Sequence, residues 1–113
     1  MARQSSEFVD LVVESLQPLG PVVAKRMFGG HGIFMDGLMF ALVADDQLYF
    51  KVDDDNRPAY EAKGLGPFTY VKKGKTMQMS YQEAPSEALD DPETLCEWAR
   101  AAFGAALRSR KPK

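Results

Sequence analysis

Four side chains in apolar parts of the sequence have the chemistry to bind a ligand: Arg26, Tyr49, Lys51 and Tyr81. Arginine and lysine donate hydrogen bonds to carboxylate or phosphate oxygens, and tyrosine adds an aromatic face and a hydroxyl. Each lies in or beside a run of residues typical of a β-strand, so only a sheet can bring them together. Two kinds of partner remain open. One is an anionic metabolite held by Arg26, Lys51 and Tyr81, and the other is a protein bound through a sheet face that exposes Tyr49.

Residues for catalysis or metal binding form no recognisable pattern. His31 is the only histidine, and no cysteine or acidic residue stands at a zinc-finger or metalloprotease spacing from it. Cys96 is the only cysteine, and packing is more typical of such a residue than nucleophilic or redox chemistry. No Ser-His-Asp set, Cys-x-x-Cys pair or nucleotide fingerprint stands out. We therefore expect no catalytic residues, no metal, no cofactor and no enzymatic activity.

Two short segments resemble ion-binding loops but fit structural roles better. The glycines of residues 29–32 are followed by residues 33–35, which have strand character, whereas a phosphate-binding loop leads into a helix. We predict a bend or bulge that lets the backbone cross tightly. The three aspartates of residues 53–55 lack the alternating acids, the glycine and the distal glutamate of a calcium loop. We predict that they cap a short helix.

The charge of the chain is unevenly distributed. The net charge is −2, and the last six residues, 108–113, carry four positive charges, so residues 1–107 carry −6. An acidic body repels phosphate backbones, because nucleic-acid affinity comes mostly from lysine and arginine neutralising phosphates. We expect no direct nucleic-acid binding by this body, and we expect residues 108–113 to form a basic, flexible tail.

The first half of the chain predicts a helix followed by an antiparallel meander. Ser5 or Ser6 is a plausible cap for an amphipathic helix over about residues 6–17, and Val22–Met27 follows as the first strand. Asp36-Gly37 is a strong hairpin signal between apolar runs. The next run, Leu38–Ala44, is apolar without alternation, as expected of a strand buried on both faces, whereas residues 48–52 alternate.

The second half predicts a short helix ending at Gly64, a hairpin and a long helix. The hairpin joins residues 68–71 to residues 76–82 through a lysine-rich turn. Residues 86–89 have the character of one helical turn. Asp91 as cap and Pro92 in the first position mark the start of the last helix, and Trp98 lies on its apolar face.

These elements predict one α+β domain over residues 1–113. The expected architecture is a two-layer sandwich in which an antiparallel sheet of five to six strands carries helices mainly on one face. No apolar run is long enough to span a membrane, and no signal peptide is evident at the N-terminus. With a lone cysteine, these features favour a cytoplasmic protein.

Several segments resemble the N-terminal domain of the TfoX/Sxy family of bacterial competence regulators. They are RMFGGxGI at 26–33, DGxMFALV at 36–43, LYFKVD at 48–53, NR at 56–57, Gly64, PFTY at 67–70, MSY at 79–81, DDPE at 90–93 and WA at 98–99, where x marks a position outside the resemblance. The resemblance implies a secretion-chaperone-like arrangement of the same elements. It also implies a regulatory role, although full-length regulators of the family carry a further C-terminal helical domain.

The exposed face of the sheet also predicts self-association. Tyr49 and Lys51 should lie on that face, together with either residues 69 and 71 or residues 68 and 70 of the next hairpin. At least two residues of the set are aromatic or apolar in either register, and large exposed apolar patches tend to mark interaction surfaces. We expect a protein partner, a homodimer, or both.

Overall fold

A computed structural model of the protein describes residues 4–27 and 30–109, with backbone only at residues 4–6, 70–72, 77 and 78. The helices are α1 (Gln4–Ser15), α2 (Arg57–Ala62), α3 (Ser86–Leu89) and α4 (Pro92–Ser109), with a short 3-10 helix at Gln17–Leu19. The strands are β1 (Val22–Met27), β2 (Gly30–Met35), β3 (Leu38–Ala44), β4 (Gln47–Lys51), β5 (Pro67–Lys72) and β6 (Lys75–Glu83).

All six strands form one antiparallel sheet in the order β1-β2-β3-β4-β6-β5. The first four strands are a meander, and the chain then passes through α2 to the far edge and returns as β6 beside β4. Two-residue turns with positive φ at both positions join three pairs of strands, at residues 36–37, 45–46 and 73–74. Aspartate and glycine tolerate this left-handed conformation, so these turns match the twist of the strands.

The helices pack on one face of the sheet, which confirms the two-layer α+β prediction. Their shared core contains residues from α1, α3 and α4 together with alternate strand residues, including Val12, Ile33, Phe50 and Leu95. Burial of this apolar surface stabilises the fold by about 25 cal/mol per Å². None of the helices in the described part of the chain combines the length and apolar character needed to cross a bilayer.

A β-bulge in β3 explains why this strand is buried without alternation. In the pairing with β2, Ile33 lies opposite Ala41 but Phe34 lies opposite Met39, so Phe40 is an extra residue. Phe40 and Ala41 therefore both enter the core beneath the helices. The ring of Phe40 meets that of Phe103 in α4 edge to face, at 5.8 Å between centroids.

Several predicted boundaries are confirmed, whereas those of the first helix and of the basic tail at residues 108–113 are wrong, because α4 includes Arg108 and Ser109. The strand Val22–Met27, the turn at residues 86–89 and the end of the short helix at Gly64 (φ 72°) agree with the structure. Asp91 caps α4, because its carboxylate accepts a hydrogen bond from the Thr94 hydroxyl at 2.7 Å and its carbonyl accepts one from the Leu95 N–H at 2.9 Å.

The first helix lies earlier in the chain than predicted. It already includes Gln4, so Ser5 and Ser6 lie inside the helix and do not cap it, and it ends at Ser15, before Pro18. Helix formation extends through serine when packing of an amphipathic face supplies most of the stability. The predicted bend at residues 29–32 lies partly outside the described residues, and the irregular pairing occurs one residue later, between Ile33 and Phe34.

Candidate interaction surface

The sheet face that the helices leave uncovered, called here the open face, carries its own apolar cluster. Strand alternation and the β3 bulge direct seven side chains to this side of the sheet. This open-face cluster consists of Met39, Leu42, Ala44, Tyr49, Phe68, Met79 and Tyr81. Leu42, Phe68 and Tyr81 are buried by their neighbours on the face, whereas the other four are partly exposed. The open face therefore carries a partly exposed apolar surface.

Tyr81 and Lys51 form the end of this cluster that lies nearest the C-terminus of α4. The Tyr81 hydroxyl donates a hydrogen bond to the Met39 carbonyl at 3.3 Å, and the Lys51 Nζ lies 5.3 Å from the centre of the Tyr81 ring. Burial raises the pKa of Tyr81 to about 12, and burial lowers the pKa of Lys51 while the nearby Asp53 carboxylate opposes that change. The tyrosine therefore stays a neutral hydrogen-bond donor near neutral pH.

Tyr49 marks the opposite end of the cluster and stands in an acidic environment. Its ring meets that of Phe68 edge to face at 4.9 Å between centroids. Burial raises the pKa of Tyr49, and the carboxylates of Glu83 and Asp45 raise it further. Along β4, the charge environment of the open face changes from acidic at Tyr49 to cationic at Lys51. These two residues lie about 7 Å apart.

Methionines extend the apolar surface across β1 and β2. A Cβ built on Gly32 would lie 2.6 Å from the Met27 sulfur, 2.9 Å from the Met39 sulfur and 3.0 Å from the ring of Phe34. These side chains therefore close over the glycine. The Lys25 Nζ lies 5.2 Å from the centre of the Phe34 ring, so a second cation borders the surface at the β1 edge.

A shallow cavity of about 260 Å³ opens beside Lys51. It is lined by Leu38, Met39, Lys51, Tyr81, Ala106 and Ser109, so it joins the open face to the end of α4. Its volume lies just below the roughly 300 to 1,000 Å³ of typical ligand pockets. The described residues hold no cluster of three or more histidine, cysteine, aspartate or glutamate side chains that could bind a metal.

Comparison with known protein families assigns the chain. The family model described as the TfoX N-terminal domain matches residues 14–106. The chain belongs to the TfoX N-terminal domain family.

Two curated relatives support the assignment at modest identity. DNA transformation protein TfoX1 of Aliivibrio fischeri (strain ATCC 700601 / ES114) is 33% identical over 66 residues, which cover 58% of this chain and 32% of the relative. Protein Sxy of Escherichia coli (strain K12) is 22% identical over 100 residues, which cover 88% of this chain and 48% of the relative. The chain thus spans between about a third and a half of the length of these relatives.

This TfoX N-terminal domain brings three of the four predicted binding residues to the open face. Tyr49, Lys51 and Tyr81 lie there on adjacent strands, and Lys51 is paired with Tyr81 in the ladder. Phe68 joins them, which decides between the two predicted registers of the hairpin in favour of residue 68. The side chain of residue 70 lies outside the described side chains.

Arg26 does not join this group. It is paired with His31 on the edge strand, and alternation directs it to the helix side with Ala24, which packs against the main core. The β1 strand also lies three strand spacings, about 14 Å, from β4. Arg26 and Lys51 therefore do not converge, and convergence is what the anionic-metabolite alternative requires.

Cys96 and His31 both lie on the helix side of the sheet, away from the open-face cluster. Burial raises the pKa of the Cys96 thiol, although Arg100 opposes the change, and the sulfur donates to the Ser15 carbonyl at 3.5 Å. A protonated, buried thiol is a poor nucleophile. His31 is half-buried, and its Nδ1 has no hydrogen-bond partner among the described residues.

Sequence reasoning missed most of the residues that build the open face. Lys25, Phe34, Met39 and Leu42 were assigned only to strands, because their face depends on cross-strand register and on the bulge at Phe40. The usable signal is alternation, which places Met79 and Tyr81 on one face of β6 and Tyr49 and Lys51 on one face of β4.

Proposed function

We propose that this domain is a non-enzymatic regulatory module, related to competence regulators, that acts by binding protein through its open face. The observation that carries the proposal is the methionine-rich and aromatic cluster on the side of the sheet that no described helix covers. Aromatic residues and methionine are enriched at protein interfaces. Unbranched methionine side chains also let one surface adapt to its partner.

Protein is a better match to this surface than a small molecule. The cluster spreads over strands β3 to β6 and continues across β2. The one cavity described on this face is shallow and small. Val23, which is 51% exposed, extends the apolar surface to the β1 edge. A wide and nearly flat apolar area with cations at its borders is typical of protein-binding surfaces.

Tyr49 and Tyr81 can donate hydrogen bonds to a protein partner. Both have raised pKa values, so their hydroxyls stay protonated near neutral pH. The relatives are named as a DNA transformation protein and as Sxy, which supports a regulatory role in the same context. A cytoplasmic location is part of the proposal and is supported by the single, buried and unpaired cysteine.

Affinity capture from the native bacterium with matched variants tests this proposal. Tyr49→Glu places a charge in the open-face cluster, whereas Leu11→Glu makes the same kind of change at a residue that is 56% exposed on α1. We expect partner proteins that are retained by the wild type and by Leu11→Glu and lost with Tyr49→Glu. Melting curves establish that both variants are folded. Equal recovery of every captured protein by both variants would refute the role of the open face.

A further inference from the structure

One cross-strand row on the open face has opposite charges at its two ends. The ladder pairs Lys25 with Gly32, Gly32 with Leu42, Leu42 with Tyr49, and Tyr49 with Glu83. The row crosses β1, β2, β3, β4 and β6, which are four strand spacings or about 19 Å. It therefore begins with a cation, continues through small, apolar and aromatic residues, and ends with an anion.

Neither end of this row forms an ion pair within the described part of the chain. The salt bridges described there join Arg57 to Asp54, Lys63 to Glu87, and Arg108 to Asp53 and Asp55. Lys25 lies over the ring of Phe34, and Glu83 is paired with Tyr49 in the ladder between β4 and β6. Both charges are thus free to meet a partner across the open face.

We propose that a second copy of this chain packs face to face on the open face, about a twofold axis that runs parallel to the strands along β3. The proposal rests on the proposed function, because it uses the same surface and names the partner. The axis reverses the order of the strands in the facing sheet. Lys25 of one subunit then lies opposite Glu83 of the partner subunit, the reverse pair forms at the other end, and Leu42 faces its own copy.

The opposite charges at the two ends of the row favour this axis over a twofold axis that runs across the strands. A twofold axis that ran across the strands would place Lys25 against Lys25 and Glu83 against Glu83, and like charges across an interface oppose association. Two sheets packed face to face lie about 10 Å apart with nearly aligned strands, a distance that lysine and glutamate can bridge. A self-complementary surface requires no second kind of protein, and twofold dimers are the commonest oligomers.

The neighbouring row on the open face agrees with the same axis. There Val23 is paired with Phe34, and Phe34 with Met39. The twofold operation places the exposed Val23 opposite Tyr81 of the partner subunit, and Phe34 opposite Lys51 of the partner subunit. These contacts would cover the exposed Val23 and bring a second cation to the Phe34 ring, which Lys25 of the same subunit already borders.

Charge reversal at the two ends of the row tests this arrangement by sedimentation equilibrium. Lys25→Glu alone sets glutamate against Glu83 at both ends, and Glu83→Lys alone sets lysine against Lys25, so each variant should raise the dimer dissociation constant by about tenfold or more. An equimolar mixture of the two variants forms both ion pairs again. We therefore expect the mixture, and also the Lys25→Glu/Glu83→Lys double variant, to regain a dissociation constant close to that of the wild type.

A matched control and the contrary outcomes make the test decisive. Glu14→Lys on α1 changes the net charge as Glu83→Lys does, at an exposed position away from the sheet, and should leave dimerisation unchanged. A wild-type monomer at several hundred micromolar would overturn the dimer while leaving the proposed function to the Tyr49→Glu capture experiment. A dimer that neither single reversal weakens, or singly reversed variants that do not recover on mixing, would overturn the face-to-face arrangement. Melting temperatures of each variant separate misfolding from lost association.

Discussion

Replacing Gly30 and Gly32 separately by alanine should have very different effects, although the two residues are neighbours on β2. Neither has a φ in the left-handed region, so backbone strain does not enter the comparison. What differs is the atom that a new Cβ would meet. At Gly30 it would lie 2.1 Å from the Val43 carbonyl oxygen, and at Gly32 it would lie 2.6 Å and 2.9 Å from two methionine sulfurs.

The size of each change in stability depends on whether the atoms that the new Cβ would meet can move. Carbon and carbonyl oxygen approach no closer than about 3.3 Å, so Gly30→Ala requires β2 and β3 to separate by roughly 1 Å against their ladder hydrogen bonds. Overpacking of this kind costs about 1 to 3 kcal/mol and sometimes more. For Gly32→Ala, the flexible ends of Met27 and Met39 move aside, and the lower entropy of the unfolded chain with alanine stabilises the fold by about 0.4 to 1 kcal/mol.

Urea unfolding of the two variants measures this difference. We expect Gly30→Ala to lower the free energy of unfolding by about 1 to 3 kcal/mol and Gly32→Ala to change it by less than about 1 kcal/mol. Gly66→Ala is the control, because a Cβ there would meet nothing within 4 Å and its φ is not in the left-handed region. Equal losses for Gly30→Ala and Gly32→Ala, or a Gly30→Ala variant as stable as Gly66→Ala, would refute the reasoning.

Three further outcomes are expected. The Arg108 guanidinium, which donates two hydrogen bonds to Asp53, is the main cause that lowers the pKa of this carboxyl from 3.8 to about 2. The interaction therefore stabilises the fold above pH 3.8 and is lost as the pH falls toward 2. The difference in melting temperature between the wild type and Arg108→Gln should narrow over that range. A constant difference would contradict the assignment. Trp98→Ala should lower the free energy of unfolding by about 2 to 3 kcal/mol, because the Trp98 ring packs edge to face on Tyr60 at 4.9 Å between centroids. The loss is smaller than for a fully buried aromatic because the Trp98 ring is only partly buried. An unchanged urea midpoint would contradict this packing. A chain of residues 1–107, with a net charge of −6, should show no duplex DNA binding at micromolar concentration, and salt-sensitive binding would argue against the protein-binding proposal.

Local signals in the sequence predicted the elements of this fold well. Asp36-Gly37 gave the hairpin because both residues accept positive φ, and Asp91-Pro92 gave the start of α4 because proline lacks the N–H that a first helical turn leaves unpaired. These features depend on residues adjacent in the chain. The start of α1 was missed because tertiary packing, and not a capping serine, determines how far that helix extends.

The candidate site could be predicted only in part because it depends on which face each residue occupies. Tyr49, Lys51 and Tyr81 share the open face because regular alternation in β4 and β6 fixes their direction, and their role in binding stays a prediction. Arg26 was grouped with them only by charge and residue type. A change of one position in register moves a strand residue to the other face, so nothing short of the pairing of Arg26 with His31 could exclude it.

The bulge at Phe40 links the packing of the core to the composition of the open face. Without an extra residue in β3, strict alternation would direct Leu42 and Ala44 to the same side as Phe40, beneath the helices. The extra residue instead lets Phe40, Ala41 and Val43 enter the main core while Met39, Leu42 and Ala44 reach the open face. Met39 is also the residue whose carbonyl accepts the Tyr81 hydrogen bond and whose sulfur closes over Gly32. The β-bulge at Phe40 therefore has two effects. It allows the contact with Phe103 in α4, and it places residues of β3 in the middle of the surface that we propose binds the partner.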